Sequence, residues 1–172
     1  MKYISIRHLF QKRFRTSTLM AALLTGSLLP AAVPAQEPIG PKLTPRLQEL
    51  LRDEMLSIRQ AMEHIMNGLV AGDSSIVENM AMQVHDSFIL TQQLTEQDKK
   101  DLMAAASKEF LALDGEFHVT AKKLAHAAEQ KDFELQRFYY GKMVDSCQTC
   151  HSQFVTDRFP QFAGKAPEGH VH

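Results

Sequence analysis

The 172-residue chain has little of what marks several protein classes. Cysteine occurs only twice, at Cys147 and Cys150, so a framework of several disulfides is excluded. Eight glycines and seven prolines, without an internal repeat, argue against fibrous and solenoid proteins. The 19 basic and 20 acidic residues nearly cancel, so the chain lacks the basic stripe that nucleic-acid-binding proteins carry. With 44% hydrophobic residues, the composition predicts one soluble globular domain.

Residues 1–35 have the pattern of a secretory signal peptide. They contain five basic residues and no acidic residue, and an apolar run from Thr18 to Leu29 precedes small residues up to Ala35. This run is too short for a membrane span of about 20 residues. We therefore expect cleavage near Ala35, a periplasmic protein that starts at Gln36, and no stable membrane insertion; an uncleaved anchor is the alternative. The mature chain would have 14 basic and 20 acidic residues, a charge near -6.

After a leader at residues 36–43, the spacing of apolar residues predicts a long first helix. Thr44 and Pro45 form its start, with a hydroxyl N-cap and a proline at the first helical position, and Gly72 ends it. Apolar residues recur at three- and four-residue spacing, which indicates one amphipathic face. That face comprises Leu47, Leu51, Met55, Ile58, Met62, Ile65 and Leu69.

Three further helical stretches follow the first. Ser75 with Glu78 is typical of a capping box, and this second helix is predicted to reach about Thr91. Thr95 with Asp98 opens a third region that ends near Gln130 and is predicted to break near Ser107. Asp132 caps the fourth. The apolar residues predicted to face the interior from this last helix are Leu135, Phe138, Tyr139, Met143, Cys147, Cys150 and Phe154.

These four stretches together predict the fold class. Alternation of apolar and polar residues typical of strands is absent, and the connections are short. Four long helices joined in this way favour an all-α, antiparallel four-helix bundle, in which cofactors bind between facing helices.

The segment Cys147-Gln148-Thr149-Cys150-His151 has the C-x-x-C-H pattern of c-type haem attachment. On a helix, thiols three residues apart share a face and can add to the two vinyl groups of one haem, while the next residue, His151, can bind the iron. A thioredoxin-like site would need a βαβ setting, and a structural zinc site would need a second ligand pair. One such motif predicts one covalently attached haem c, held by the C-terminal helix.

A C-x-x-C-H motif on the last helix of a four-helix bundle resembles the cytochrome c′ family, the class II c-type cytochromes, over about residues 43–156. The resemblance implies a left-handed bundle, here at residues 44–156, and often a homodimer. Pro160 and Gly164 begin a polar stretch, so we expect a flexible tail at 157–172. The resemblance also implies thioethers at Cys147 and Cys150 and an axial ligand at His151. Many members carry a basic residue four positions after that histidine, whereas this chain has Val155.

The second axial position divides this family, and it lies on the first helix. Counting back from Gly72 places it at Leu56, which would leave the iron five-coordinate and open to nitric oxide or carbon monoxide. The apolar face instead favours Met55, because Leu56 lies beside charged residues. A thioether favours ferrous iron and raises the reduction potential. Met62 is a weaker candidate on the same face, and plain packing is the alternative role of Met55.

We therefore expect an electron carrier with His151 and Met55 as its iron ligands and other redox proteins as partners. The alternative is a five-coordinate, gas-binding protein, and a third possibility is a haem-bearing subunit whose partner performs the chemistry. The chain carries no catalytic dyad, phosphate loop or nucleophile elbow, so we do not expect an enzyme.

Overall fold

The structure, a computed structural model, describes residues 36–162. Six helices follow in order: α1 Pro45–Ala71, α2 Ser74–Asp86, α3 Leu90–Gln93, α4 Glu96–Ala105, α5 Lys108–Glu129 and α6 Phe133–Phe154. Short 3-10 turns, Gly40–Lys42 and Pro160–Phe162, lie before and after them. The predicted signal peptide and most of the predicted tail, residues 163–172, lie outside the described residues.

Four of the helices form a closed ring, in which α1 and α5 each pack against both α2 and α6. The connections at 72–73 and 130–132 are short, so α1 with α2 and α5 with α6 are antiparallel pairs. Gln136, near the start of α6, donates to the Ser74 hydroxyl at the start of α2, so these two diagonal helices begin at the same end of the bundle. The predicted all-α, antiparallel four-helix bundle is confirmed. Among the described residues, no helix is long and apolar enough to cross a membrane.

Several predicted helix starts and stops are found in the structure because they depend on local hydrogen bonds. The Thr44 hydroxyl accepts from the Leu47 N–H, and Asp132 caps α6. Thr95 and Asp98 form the reciprocal capping box at the start of α4. The predicted break near Ser107 separates α4 from α5, with Ser107 as the N-cap of the second helix.

The second helix differs from its prediction at both ends. Asp73, rather than a box of Ser75 with Glu78, caps α2, because its carboxylate accepts from the backbone N–H groups that follow it. The helix also stops at Asp86 instead of about Thr91. The reason for the early stop is a carboxylate on α1: Glu54 accepts hydrogen bonds from the residues after the helix, which leave the helical path at Ser87, where φ is 62°.

The buried faces of two helices are also rotated from the predicted ones. The fully buried line on α1 comprises Leu47, Leu50, Glu54, Ile58, Ala61, Ile65 and Gly68. Leu51, Met55 and Met62, which were predicted to lie on the apolar face, flank this line on one side. On α6, Leu135 and Phe138 were predicted to face the interior but are 42% and 54% exposed. The buried residues of this helix are Gln136, Met143 and Phe154, which lie on a different face.

The core has two parts. The larger lies in the middle of the bundle and is made mostly of small residues of α2 and α5 packed against Ile65 of α1 and Met143 of α6. The smaller one, formed by Ile39, Leu43, Leu47, Phe110 and Phe154, ties the segment before α1 to the end of α6. The Ile39 N–H donates to the Phe154 carbonyl over 2.8 Å, and the Phe110 and Phe154 rings meet edge to face at 5.4 Å.

Candidate functional site

The last turns of α6 present Cys147, Cys150 and His151 to one cavity of about 1290 Å³. The two cysteines are three residues apart, so both thiols lie on one face of the helix, and His151 follows directly. All three side chains are partly buried, and both cysteines are free. The structure therefore places the predicted attachment residues together in the wall of a large cavity.

Helices α1 and α5 form the facing walls of this cavity, and α2 contributes nothing to it. From α5 the lining residues are Phe110, Leu113, Asp114 and Phe117. From α1 they fall into two neighbouring lines. One is an apolar line (Leu51, Met55, Ile58, Met62) with Gln48 at its start, and the other is a more polar line (Pro45, Glu49, Arg52, Leu56, Arg59). The segment 39–41 and the turn after α6 complete the cavity.

Met55 and Leu56, the two residues considered for the second axial position, both line this cavity. Their exposed fractions are similar, 39% and 44%. Their neighbours on α1 differ: Met55 lies in the apolar line, whereas Leu56 lies in the line with two arginines and a glutamate. Met62, the weaker candidate, lines the cavity too.

The two thiols are protonated at neutral pH. Burial raises the pKa of the Cys147 thiol. Burial, and then the negative charges of Asp114 and Cys147, raise the pKa of Cys150 to about 11. A thiol of this kind is a poor metal ligand and a slow nucleophile on its own.

His151 is kept neutral, the form in which an imidazole can bind a metal. Burial lowers the pKa of its side chain below the usual value. Its ring stacks on the ring of Phe159, with centroids 4.2 Å apart and an angle of 11° between the planes.

Asp114 is a cavity residue that the sequence analysis did not identify. Its carboxylate is 3.8 Å from His118 Nε2, one turn further along α5. Burial raises the pKa of Asp114; the positive charge of His118 opposes this rise, and the Glu54 carboxylate adds to it. The available signal was an acidic residue between Leu113 and Phe117 on the apolar side of its helix.

The donor set fits a c-type haem better than a bare metal ion. Within residues 36–162, no group of three or more histidine, cysteine or acidic side chains is arranged to hold a metal ion. The site offers two thiols on one helical face, one neutral imidazole and mostly apolar walls. The cavity exceeds the 300–1,000 Å³ or so that is typical of small-molecule sites, as a large planar ligand requires.

Comparison with known families agrees with this geometry: the family model described as Cytochrome C' matches residues 50–155. The chain belongs to the cytochrome c′ family. The match spans the helices that build the cavity, from α1 to the end of α6. Cytochromes c′ are haem-binding c-type cytochromes and are usually periplasmic. No curated protein and no solved structure matches the chain.

Proposed function

We propose that this cytochrome c′ is a single-haem electron carrier with His151 and Met55 as its two iron ligands. Haem bound here supplies a one-electron iron couple whose potential a methionine ligand raises. In this proposal Cys147 and Cys150 form the two thioether bonds and His151 binds the iron from α6, which their common position in the cavity wall supports. The observation that carries the proposal is the position of Met55 in the apolar line of α1, in the same cavity as the attachment residues.

The cavity walls support electron transfer rather than bond-making chemistry. Phe110, Leu113 and Phe117 on α5 and Ile58 on α1 present apolar side chains, which limit the access of water and lower the local dielectric. Among the lining residues, Asp114 is a carboxylate whose pKa is raised, and the nucleophilic group beside it is the Cys150 thiol, which in this proposal is used for haem attachment. We propose no enzymatic reaction for this site.

The second candidate function is binding of nitric oxide or carbon monoxide at an open sixth position. Leu56 favours it, since this side chain lines the same cavity and cannot bind iron. The two functions make opposite predictions about the sixth ligand, so one spectroscopic experiment separates them.

The test is to compare the wild type with Met55→Ala, oxidised and reduced, before and after addition of carbon monoxide. We expect sharp low-spin bands and slow carbon monoxide binding in the wild type. Met55→Ala should give a high-spin spectrum and bind carbon monoxide readily, because the sixth position opens. Met66→Ala is the control, since Met66 lies on the same helix, is 45% exposed and is not part of the cavity wall.

Two outcomes contradict the proposal. A high-spin wild type that binds carbon monoxide at once supports the gas-binding function under Leu56. A Met55→Ala spectrum identical to that of the wild type excludes Met55 as the ligand, and the same measurement on Met62→Ala then examines the next methionine of the apolar line.

We further propose that the protein acts in the periplasm after removal of residues 1–35 and exchanges electrons with other redox proteins. The family is usually periplasmic, which supports the location. A mature charge near -6 suits partners with basic surfaces. A homodimer, which the family resemblance implies, remains a prediction.

A further inference from the structure

The turn that follows α6 brings an aromatic ring back onto the predicted axial histidine. The Phe159 and His151 rings are stacked nearly parallel, at 11°, with centroids 4.2 Å apart. Phe159 is eight residues beyond His151 and outside the helix, so helical periodicity alone does not bring the two together. The contact depends on the path of the chain after Phe154.

Backbone hydrogen bonds define that path. The Val155 N–H donates to the His151 carbonyl and ends the helix. The N–H groups of Arg158 and Phe159 then both donate to the Val155 carbonyl, over 3.0 Å each. Phe162 N–H donates to the Phe159 carbonyl, also over 3.0 Å, at the start of the last 3-10 turn. Backbone hydrogen bonds therefore hold Phe159 on both sides, and the residue is 38% exposed.

Iron-binding histidines are usually oriented by a hydrogen bond from their second ring nitrogen to a carboxylate or a backbone carbonyl. Within residues 36–162, the His151 ring makes no such bond, whereas His85 and His118 each bond a backbone carbonyl through Nδ1. The contact that the structure shows for the His151 ring is the stack with Phe159. It also covers one imidazole face with an apolar group.

We propose that Phe159 is a positioning residue, which sets the plane of the His151 imidazole and covers one face of that ring. This inference rests on the haem site proposed above but not on the identity of the sixth ligand. A flat ring at 4.2 Å restricts rotation of the imidazole about its Cβ–Cγ bond, and an aliphatic side chain of similar size does so less well.

The experiment measures the paramagnetically shifted haem methyl resonances of the ferric protein by NMR, because their pattern depends on the orientation of the axial imidazole plane. Phe159→Leu and Phe159→Ala should lose the wild-type pattern and shift the reduction potential. Phe159→Tyr, which keeps the flat ring, should restore both. Phe133→Ala is the control: it removes a phenylalanine of similar exposure, 47%, at the other end of α6.

Each variant is also measured in a Met55→Ala background, so that the effect of the stack is separated from that of the sixth ligand. If the stack positions His151, Phe159→Leu changes the pattern in both backgrounds, whether or not Met55 binds iron. An unchanged pattern and potential in haem-loaded Phe159→Leu overturns the inference even where the Met55 result holds. Phe159→Leu preserves apolar volume, so it is the deciding variant if Phe159→Ala fails to accumulate.

Discussion

At the scale of single residues, the unusual feature is a carboxylate in the buried line of α1. Glu54 is 1% exposed and accepts hydrogen bonds from the Ser87 hydroxyl and from the backbone N–H groups of Phe88, Ile89 and Leu90. A charged group buried without such partners would be strongly destabilising. With them, Glu54 replaces the hydrogen bonds that a longer α2 would have made, and it fixes the turn into α3.

We predict that Glu54→Gln lowers the free energy of unfolding by about 2–4 kcal/mol, because an amide accepts fewer of these bonds and its own NH₂ group faces donors. Urea unfolding of the haem-loaded protein, followed by far-UV circular dichroism, measures this loss. Glu63→Gln is the matched control on α1, since the Glu63 side chain is 67% exposed and forms only a surface pair with Arg59. Its effect should stay within about 0.5 kcal/mol. Equal effects of the two substitutions would show that the Glu54 bonds add no stability.

Residues whose structure depends on near neighbours were predictable, and those positioned by distant contacts were not. The Thr95 and Asp98 box and the Ser107 break depend on bonds within a few residues, so the sequence pattern predicts them. The early end of α2 depends on Glu54, 33 residues before Ser87, and no local pattern contains that information. At the site, Cys147 and His151 are identifiable because one helix carries the whole motif.

The cavity residues contributed by other elements were harder to find. Asp114 reaches the site because α5 packs against α6, and Phe159 reaches it through a turn. Met55 was identified from its helical face, although the fully buried line of α1 is rotated by one residue from the predicted one. An apolar residue that lines a cavity and one that fills the core have the same periodicity in sequence, so hydrophobic patterning cannot distinguish them.

At the scale of helices, glycines in α1 and α6 have opposite roles. A Cβ built at Gly141, inside α6, meets nothing within 4 Å. A Cβ at Gly68, inside α1, would lie 3.0 Å from a Val77 methyl and 3.1 Å from the Asp73 carbonyl oxygen. Gly68 therefore permits the close approach of α1 to the start of α2, whereas Gly141 only adds freedom to the unfolded chain.

We predict that Gly141→Ala raises the free energy of unfolding by about 0.5–1 kcal/mol, in line with the helix propensity of alanine. Gly68→Ala should lower it, because Val77 or the backbone at Asp73 must move to accommodate the methyl group. Thermal unfolding of the two variants beside the wild type measures both signs. Stabilisation by Gly68→Ala would mean that the α1 and α2 contact is looser than the structure shows.

At the scale of the whole molecule, one side of the bundle is closely packed and the other contains the cavity. Small residues let α2 pack closely against α5, and α2 supplies none of the cavity wall. On the other side α1, α5 and α6 leave the cavity between them, closed at one end by the cluster of Ile39, Leu43, Leu47, Phe110 and Phe154. A tightly packed side thus keeps the Cys147–His151 segment and Met55 in fixed positions on different helices.

Asp114 links this cavity to the pH dependence of the stability of the whole molecule. Burial raises the pKa of its carboxyl in the folded chain, so the folded state binds this proton more tightly than the unfolded state, whose pKa is about 3.9. The contribution of Asp114 to the free energy of unfolding therefore increases as the pH falls through its pKa in the folded chain. At neutral pH the ionised carboxylate destabilises the fold. The Asp114 side chain is 43% exposed, which reduces the size of the effect.

We predict that Asp114→Asn stabilises the fold at neutral pH and that its advantage over the wild type shrinks as the pH falls through the raised pKa of the folded wild-type carboxyl, because that carboxyl then becomes neutral as well. Urea unfolding at a series of pH values measures the difference. Asp101→Asn is the matched control. Asp101 lies on α4, and its carboxylate accepts a hydrogen bond from the Gln97 side chain at the exposed surface. An Asp114→Asn advantage that is the same at every pH would assign the effect to packing instead of charge. An advantage that grows as the pH falls would reverse the sign of the argument and show that the ionised carboxylate is the form the cavity stabilises.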